Sequence, residues 1–191
     1  MIDTDRFLAS KNLTEHLWLE IRENGVSATE VASASTPAGF RDVIENRKHG
    51  NSVEDNDYMR FGRDQEPVVA MWLKDNHDIM PNDWSICHDI NRHYRATPDG
   101  LSLDHKVISE IKTTGKDFDG KVPIRYMRQI QWQLYVTGAD HCVFAWWLRE
   151  DSPNGFIPGW LEPKTLIVQP DEAHIKSLII TAEQLWEGIN A

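Results

Sequence analysis

No stretch of this chain stays apolar for the length of a membrane-spanning helix, and its N-terminal segment, MIDTDRFLASKNLTEHLWLEIREN, is charged throughout. The sequence therefore predicts neither a membrane span nor a secretory leader. Cysteine is scarce: Cys87 and Cys142 are the only two, without CxxC spacing, which predicts buried reduced thiols and a cytoplasmic protein. There is no glycine pattern of a phosphate-binding loop, which speaks against ATP-driven unwinding within this chain. No serine or cysteine nucleophile motif stands out, and repeats and low-complexity tracts are lacking. Bases are also in deficit, with 20 Lys and Arg against 30 Asp and Glu and a net charge of −10. A uniformly basic nucleic-acid surface is excluded by that balance.

The charge is unevenly spread. Between Glu150 and Ala191 seven acids face Lys164 and Lys176, a net of −5. Between Lys112 and Arg128 five bases face Asp117 and Asp119, a net of +3. A solvated loop accounts for such a segment, and so does a local anion site. The length of 191 residues predicts one domain over residues 1–191.

Apolar spacing predicts a helix from Asp5 to Glu23, with Phe7, Leu8, Leu13, Leu17, Trp18 and Ile21 as its stripe. After Asn24-Gly25, Ser27-Ala-Thr-Glu30 fits a capping box at a new helix start. Short helical patterns follow near Gly39–Arg47 and over Tyr58–Asn76, the latter containing Pro67. Strand-like pieces cover Ser85–Ile90, His93–Thr97, Leu101–Leu103 and Lys106–Lys112. Pro123 opens an amphipathic helix through Val136 that ends at Gly138. His141–Leu148 and Thr165–Gln169 read as buried strands, and Asp171 caps a last helix to about Gly188. This order predicts an α/β fold with a central mixed sheet flanked by helices.

The stretch RATPDGLSLDHKVISEIK carries the chemistry. If Asp104-His105 is the loop of a hairpin, Leu103 pairs with Lys106, Leu101 with Ile108, Asp99 with Glu110, and Thr97 with Lys112. Opposed side chains in such a ladder have Cβ atoms about 4.5–5.5 Å apart. Two carboxylates at that distance repel unless a cation lies between them, and Mg²⁺ suits a site of one or two carboxylates plus waters and substrate phosphate. Lys112 would flank the same site. Asp-His is not a favoured hairpin turn. These residues alone leave open an ordinary turn and a half-exposed strand.

Pro98-Asp99 followed by Glu110-Ile-Lys112 resembles the PD-(D/E)xK nuclease signature. Other pieces resemble its phage lambda exonuclease and YqaJ-type viral recombinase branch. These are Trp18-Leu-Glu-Ile-Arg22 leading into Val26-Ser-Ala-Thr-Glu-Val31, Phe61-Gly-Arg-Asp-Gln-Glu-Pro67, Arg95-Ala-Thr-Pro-Asp-Gly-Leu101 and Tyr126-Met-Arg-Gln-Ile-Gln131. They stand in the family's order, from about residue 16 to 148. The resemblance implies a restriction-endonuclease-like core and a Mg²⁺-dependent DNA exonuclease, with Mn²⁺ as a substitute. It further implies 5′-to-3′ digestion of duplex ends for recombination, a homotrimer ring, a single-strand annealing protein as partner, and phage or prophage coding in a bacterial cytoplasm.

Residue by residue, it implies Asp99, Glu110 and the Ile111 carbonyl as metal ligands and Lys112 as the group positioning water. Glu66 would support the site from its helix, and Gln129 and Tyr126 would line it. Gln131 with Tyr135 fits the related RecB-like pattern and competes with Gln129. Arg22, Ser27 and Thr29 would receive the 5′-phosphate of a DNA end, although Ser27 and Glu30 make a capping box in any case. The chain departs from the family in a short connection between Asp99 and Glu110 and a compressed segment from Thr113 to Arg125. A RecB-like single-strand or structure-specific nuclease and a catalytically inactive DNA-binding module are the alternative readings. His88, Asp89 and His93 match no common zinc spacing. Trp146 and Trp147, adjacent on a strand, must point to opposite faces, so one could stack on a base or another subunit, with core packing the favoured account for most of the tryptophans.

Overall fold

The computed structural model of the chain describes residues 1–13, 15–50 and 55–191. The N-terminal helix is shorter than its sequence pattern implies. Thr4–Arg6 form a 3-10 turn, Phe7–Ser10 form strand β1, and helix α1 spans Glu15–Glu23. Residue 14, inside the expected helix, lies outside the described residues. Phe7 and Leu8 suit a helical stripe by spacing alone. Pairing of β1 with strand β3 (Trp84–Cys87) and edge-on packing of Phe7 against Trp84 decide otherwise.

Helix α2 (Ala28–Ala34) begins with the expected capping box: the Ser27 N–H and Oγ both donate to Glu30 Oε2, at 2.9 and 2.7 Å. Helix α3 spans Pro37–His49 and ends at Gly50, whose φ of 62° places it in the left-handed region. Helix α4 (Asp57–His77) carries Pro67 in its interior, so one N–H is missing from its ladder directly after Glu66.

Two sheets follow. β1, β3 and β4 (Arg95–Ala96) make a small antiparallel sheet. The larger sheet runs β2 (Ile79–Pro81), β5 (Gly100–Ser102), β6 (Val107–Thr114), β7 (His141–Ser152). Along β7, β9 (Lys164–Val168) pairs with Cys142–Trp146 and β8 (Gly155–Pro158) with Arg149–Ser152. β2 and β8, three and four residues long, carry too little pattern to be read in advance. β6 and β7 are parallel, from Val107 opposite His141 to Thr114 opposite Leu148. A parallel pair needs a crossover, supplied by helix α5 (Ile124–Thr137). Helix α6 (Glu172–Asn190) is capped by Asp171, which accepts from the His174 N–H at 3.0 Å.

Strand alternation sorts the core. Cys142, Phe144 and Trp146 join Ile108, Ile130 and Leu134 on the α5 side, while Val143, Ala145 and Trp147 join Ile111, Val69 and Leu73 on the α4 side. Both tryptophans are therefore covered. Trp146 Nε1 donates to Asp117 Oδ1 and Trp147 Nε1 to the Trp160 carbonyl. A third cluster, with Val31, Tyr94, Trp132 and Leu185, joins α2, α5 and α6. Among the described residues no helix is long and apolar enough to cross a membrane.

Candidate active site

The β5–β6 hairpin has the expected register, with Gly100 opposite Ser109 and Leu101 opposite Ile108. Its turn is wider than a two-residue loop. His105 sits in the left-handed region with φ 62°, and Asp104 Oδ1 accepts from Ser102 Oγ at 2.7 Å and the Lys106 N–H at 3.1 Å. The Asp104 carboxylate thus satisfies a turn that lacks the favoured glycine. The regular ladder ends at Gly100. There the Asp99 N–H donates to the Ser109 carbonyl at 3.0 Å, and Asp99 Oδ2 accepts from the Ile111 N–H at 2.7 Å. Gly100 is required by close packing, since a Cβ there would lie 2.3 Å from Ser109 Oγ and 2.7 Å from Ile79 Cγ2. Asn82 fixes the turn from outside, its N–H donating to the Asp99 carbonyl at 2.9 Å and its Nδ2 to the Pro98 carbonyl at 2.8 Å.

Glu110 is 1% exposed, and both its oxygens are held. Oε1 accepts from Lys112 Nζ and from Gln129 Nε2 at 2.6 Å; Oε2 accepts from Gln133 Nε2 at 2.7 Å. The Lys112 ammonium also lies 5.4 Å from the centroid of the Tyr126 ring. Glu66 reaches the other side from α4 and lines a cavity of about 230 Å³ with Asp99 and Asn82. Burial, then repulsion from Glu110, pushes the Asp99 carboxyl well above the ordinary carboxylate range, against the pull of Lys112. Glu66 is raised for the same first reason, burial, with Glu110 adding to it and Lys11 and Lys112 opposing. Burial alone would lower the Lys112 ammonium, but Glu110 and Asp99 outweigh it and hold it above its usual value.

Helical geometry separates the glutamines by the groups they bond. Gln129 and Gln133, four apart, share the face toward Glu110. Gln131 points away: its Nε2 donates to the Gln169 carbonyl at 2.8 Å and its Oε1 accepts from the Asp171 N–H at 2.7 Å. Tyr135 stacks on His88 with centroids 4.5 Å apart, and His93 stacks on Trp186 at 4.7 Å. Gln133 escaped the sequence reading; its signal was the spacing of four from Gln129.

Arg22, Ser27 and Thr29 come together as expected. They line a cavity of about 130 Å³ with Trp18, Arg95 and both site glutamines. The Arg22 guanidinium lies 4.9 Å from the centroid of the Trp18 ring. The Ser27 hydroxyl is committed to Glu30. Arg47 of α3 fixes this corner: it binds both Glu30 oxygens, at 2.6 and 3.0 Å, and the carbonyls of Arg22, Glu23 and Gly25. The arrangement is thus two adjoining compartments, one acidic around Asp99 and Glu110 and one cationic around Arg22 and Arg95, sharing a wall of glutamines.

The donor set tests whether a metal fits. Among the described residues no three His, Cys, Asp or Glu side chains form a metal cluster by themselves. Asp99 and Glu110 offer hard oxygens at a place where repulsion already disfavours the Asp99 charge. That suits a hard divalent cation that takes few protein ligands and keeps its waters.

No curated protein sequence matches the chain. In fold it is similar to LHK-Exo, an alkaline exonuclease from Laribacter hongkongensis, with a TM-score of 0.72, 22% identity, and 91% of each chain covered. The same protein in complex with dAMP gives a TM-score of 0.73, again at 22% identity and 91% of each chain. A phage-related exonuclease from Haemophilus somnus 129PT gives 0.67 and 15% identity over 87% of this chain and 93% of that one. The α/β fold with its mixed sheet, as read from the sequence, is the fold of these nucleases. The family model of the YqaJ-like viral recombinase domain matches residues 17–140, which include Arg22, Glu66, Arg95, Asp99, Glu110, Lys112, Gln129 and Gln133. The chain belongs to the YqaJ-like viral recombinase domain family.

Proposed function

We propose that this chain is a metal-dependent deoxyribonuclease of the PD-(D/E)xK type, one domain over residues 1–191, digesting linear duplex DNA from its 5′ ends. The observation that carries this reading is the buried Glu110 carboxylate, bound by Lys112, Gln129 and Gln133 beside an Asp99 whose charge is disfavoured. Asp99, Glu110 and the Ile111 carbonyl would hold Mg²⁺, or Mn²⁺ in its place. When bound, such an ion supplies Lewis-acid charge to the phosphodiester and eases ionisation of water.

The chain's own groups do the rest. Lys112, tied to Glu110 and set over Tyr126, orients the attacking water and offsets phosphate charge. Gln129 and Gln133 hold the Glu110 carboxylate in one orientation, as outer partners do for metal-ligating groups. Glu66 supports the site from α4. The neighbouring cavity, with Arg22, Ser27 and Thr29, receives the 5′-phosphate of the DNA end. A local cationic compartment in a chain of net charge −10 is consistent with contact only along an inner surface. The wider setting proposed is the one the resemblance implies: phage-encoded, in the bacterial cytoplasm, a ring of three copies, and a single-strand annealing protein as partner in recombination.

The test is incubation with Mg²⁺ and blunt duplex labelled at either end, beside single-stranded and circular controls. Release of nucleotides from the 5′ ends of linear duplex alone is the expected result. Cutting of circles or single strands would overturn the duplex-end assignment in favour of a RecB-like single-strand or structure-specific nuclease. Full cleavage by Asp99→Ala or Lys112→Ala would overturn the site.

A further inference from the structure

Arg95 was not singled out as a site residue by its sequence, yet the structure holds it in one place. Its N–H donates to the Val26 carbonyl at 3.0 Å, and its carbonyl accepts from Trp132 Nε1 at 3.0 Å. Its side chain lies across Gly25, where an added Cβ would come within 2.6 Å of Arg95 Nε. That Cβ would come equally close, 2.6 Å, to the His93 carbonyl, so only glycine leaves room here for both the guanidinium and the backbone. Thus placed, Arg95 lines the 130 Å³ cavity of Arg22 and Thr29. Its Nη1 is buried there without a hydrogen-bond partner among the described residues, and so is the indole Nε1 of Trp18. Two buried donors without acceptors in one small cavity is a costly arrangement unless an acceptor enters. Burial and the nearby Arg47 charge also work against the Arg95 cation, so an anion would relieve it. A cavity of this size holds several waters, and so has room for one phosphoryl group.

We propose that Arg95 is a second phosphate-binding cation, and that with Arg22 and the Trp18 N–H it selects a terminal phosphomonoester over an internal diester. A monoester brings close to two negative charges and three free oxygens, matching two guanidiniums and an indole donor; a diester brings one charge and fewer acceptors. The other unpartnered atom among the residues lining this cavity, Gln133 Oε1, is an acceptor and would take a water rather than a phosphate oxygen. The proposal rests on reading this cavity as the site for the DNA 5′ end.

The experiment compares kcat/KM on blunt duplexes bearing a 5′-phosphate or a 5′-hydroxyl, for the native chain, Arg95→Gln and Arg95→Lys. The native chain should prefer the phosphate, Arg95→Gln should lower that preference by about tenfold or more, and Arg95→Lys should keep part of it. A native preference that survives Arg95→Gln undiminished overturns the role of Arg95 and leaves the cavity reading standing. A native chain that cuts both ends equally overturns the cavity reading and the proposal together. Should Arg95→Gln fail to fold, Arg95→Met keeps the length of the side-chain stem without its charge, and an undiminished preference there is equally fatal.

Discussion

Replacing Asp99 by Asn should make the protein more stable and less active at once, provided divalent metal is absent when stability is measured. Asparagine keeps the shape of the side chain and an oxygen for the Ile111 N–H, now held at 2.7 Å. Losing the charge weakens that bond by about 1 kcal/mol, the difference between a charged and a neutral acceptor. Burial and the carboxylates of Glu110 and Glu66 act in the opposite direction and prevail, since the Asp99 carboxyl is pushed well above its usual range even with Lys112 and the Ile111 N–H pulling it down. The sign is therefore a gain, of the order of 0.5–2 kcal/mol, as for other relieved functional sites. At about 2–4 °C per kcal/mol for a chain of this length, Tm in EDTA should rise by roughly 1–8 °C. Mg²⁺ should then reverse the ranking. Binding at a hundred times Kd adds about 2.7 kcal/mol to the native chain and little to Asp99→Asn. Cleavage by Asp99→Asn should fall by more than the roughly 10–100-fold that loss of an outer partner of a metal ligand costs. Thermal melts with and without Mg²⁺ decide it. A lower Tm for Asp99→Asn in EDTA, or equal gains from Mg²⁺ in both proteins, would refute the electrostatic reading of the site.

Three further outcomes are expected. Gln133→Leu removes the donor to Glu110 Oε2 at a fully buried position. Activity should fall about 10–100-fold and half-saturation should need more Mg²⁺; an unchanged Mg²⁺ titration would count against the positioning role. Arg47→Ala strips Glu30 and three carbonyls of their partner, so it should cost about 3 kcal/mol and lower Tm by roughly 6–12 °C. The Asp117 carboxyl is held at about 2 by Lys164, then by the Trp146 indole, against an ordinary 3.8. A depressed acid contributes stability that is present above its unfolded value and lost as pH falls through the folded one, here between 3.8 and about 2. Acid unfolding followed by circular dichroism should lose that portion of its pH dependence in Asp117→Asn, and an unaltered profile would contradict the pairing.

Much of the site was legible because it lies in elements with strong local signals. The hairpin register followed from strand alternation around one turn, and it placed Asp99 near Glu110 although Asp104, not glycine, makes the turn. The Ser27 capping box and the Pro123-to-Gly138 helix carry their own punctuation. What stayed hidden depended on contacts distant in sequence. Phe7–Ser10 became a strand because β3 lies beside it, 79 residues away in the register Phe7 to Ile86. Arg95 and Gln133 reach the site only once β4 packs under α5: the motif that begins at Arg95 points to Asp99 rather than to Arg95, and Gln133 belongs to no motif. Gln129 and Gln131 could not be separated by pattern, because both fit a nuclease signature and only the docking of α6 shows which one is taken by Asp171.

The parallel pairing of β6 with β7 also bears on the order in which this protein comes into being. The hairpin carrying Asp99, Glu110 and Lys112 is local and closes on a scale of about 1–10 μs. The clamp on Glu110 must wait for α5, since Gln129 and Gln133 arrive 19 and 23 residues later. That helix docks through contacts distant in sequence, chiefly with α2, and the β6–β7 pairing it bridges is non-local too, so this step is slow. A chain caught midway holds two neighbouring carboxylates without the glutamines that orient them. On the proposed function, the ability to cut DNA is thus among the last properties the fold acquires.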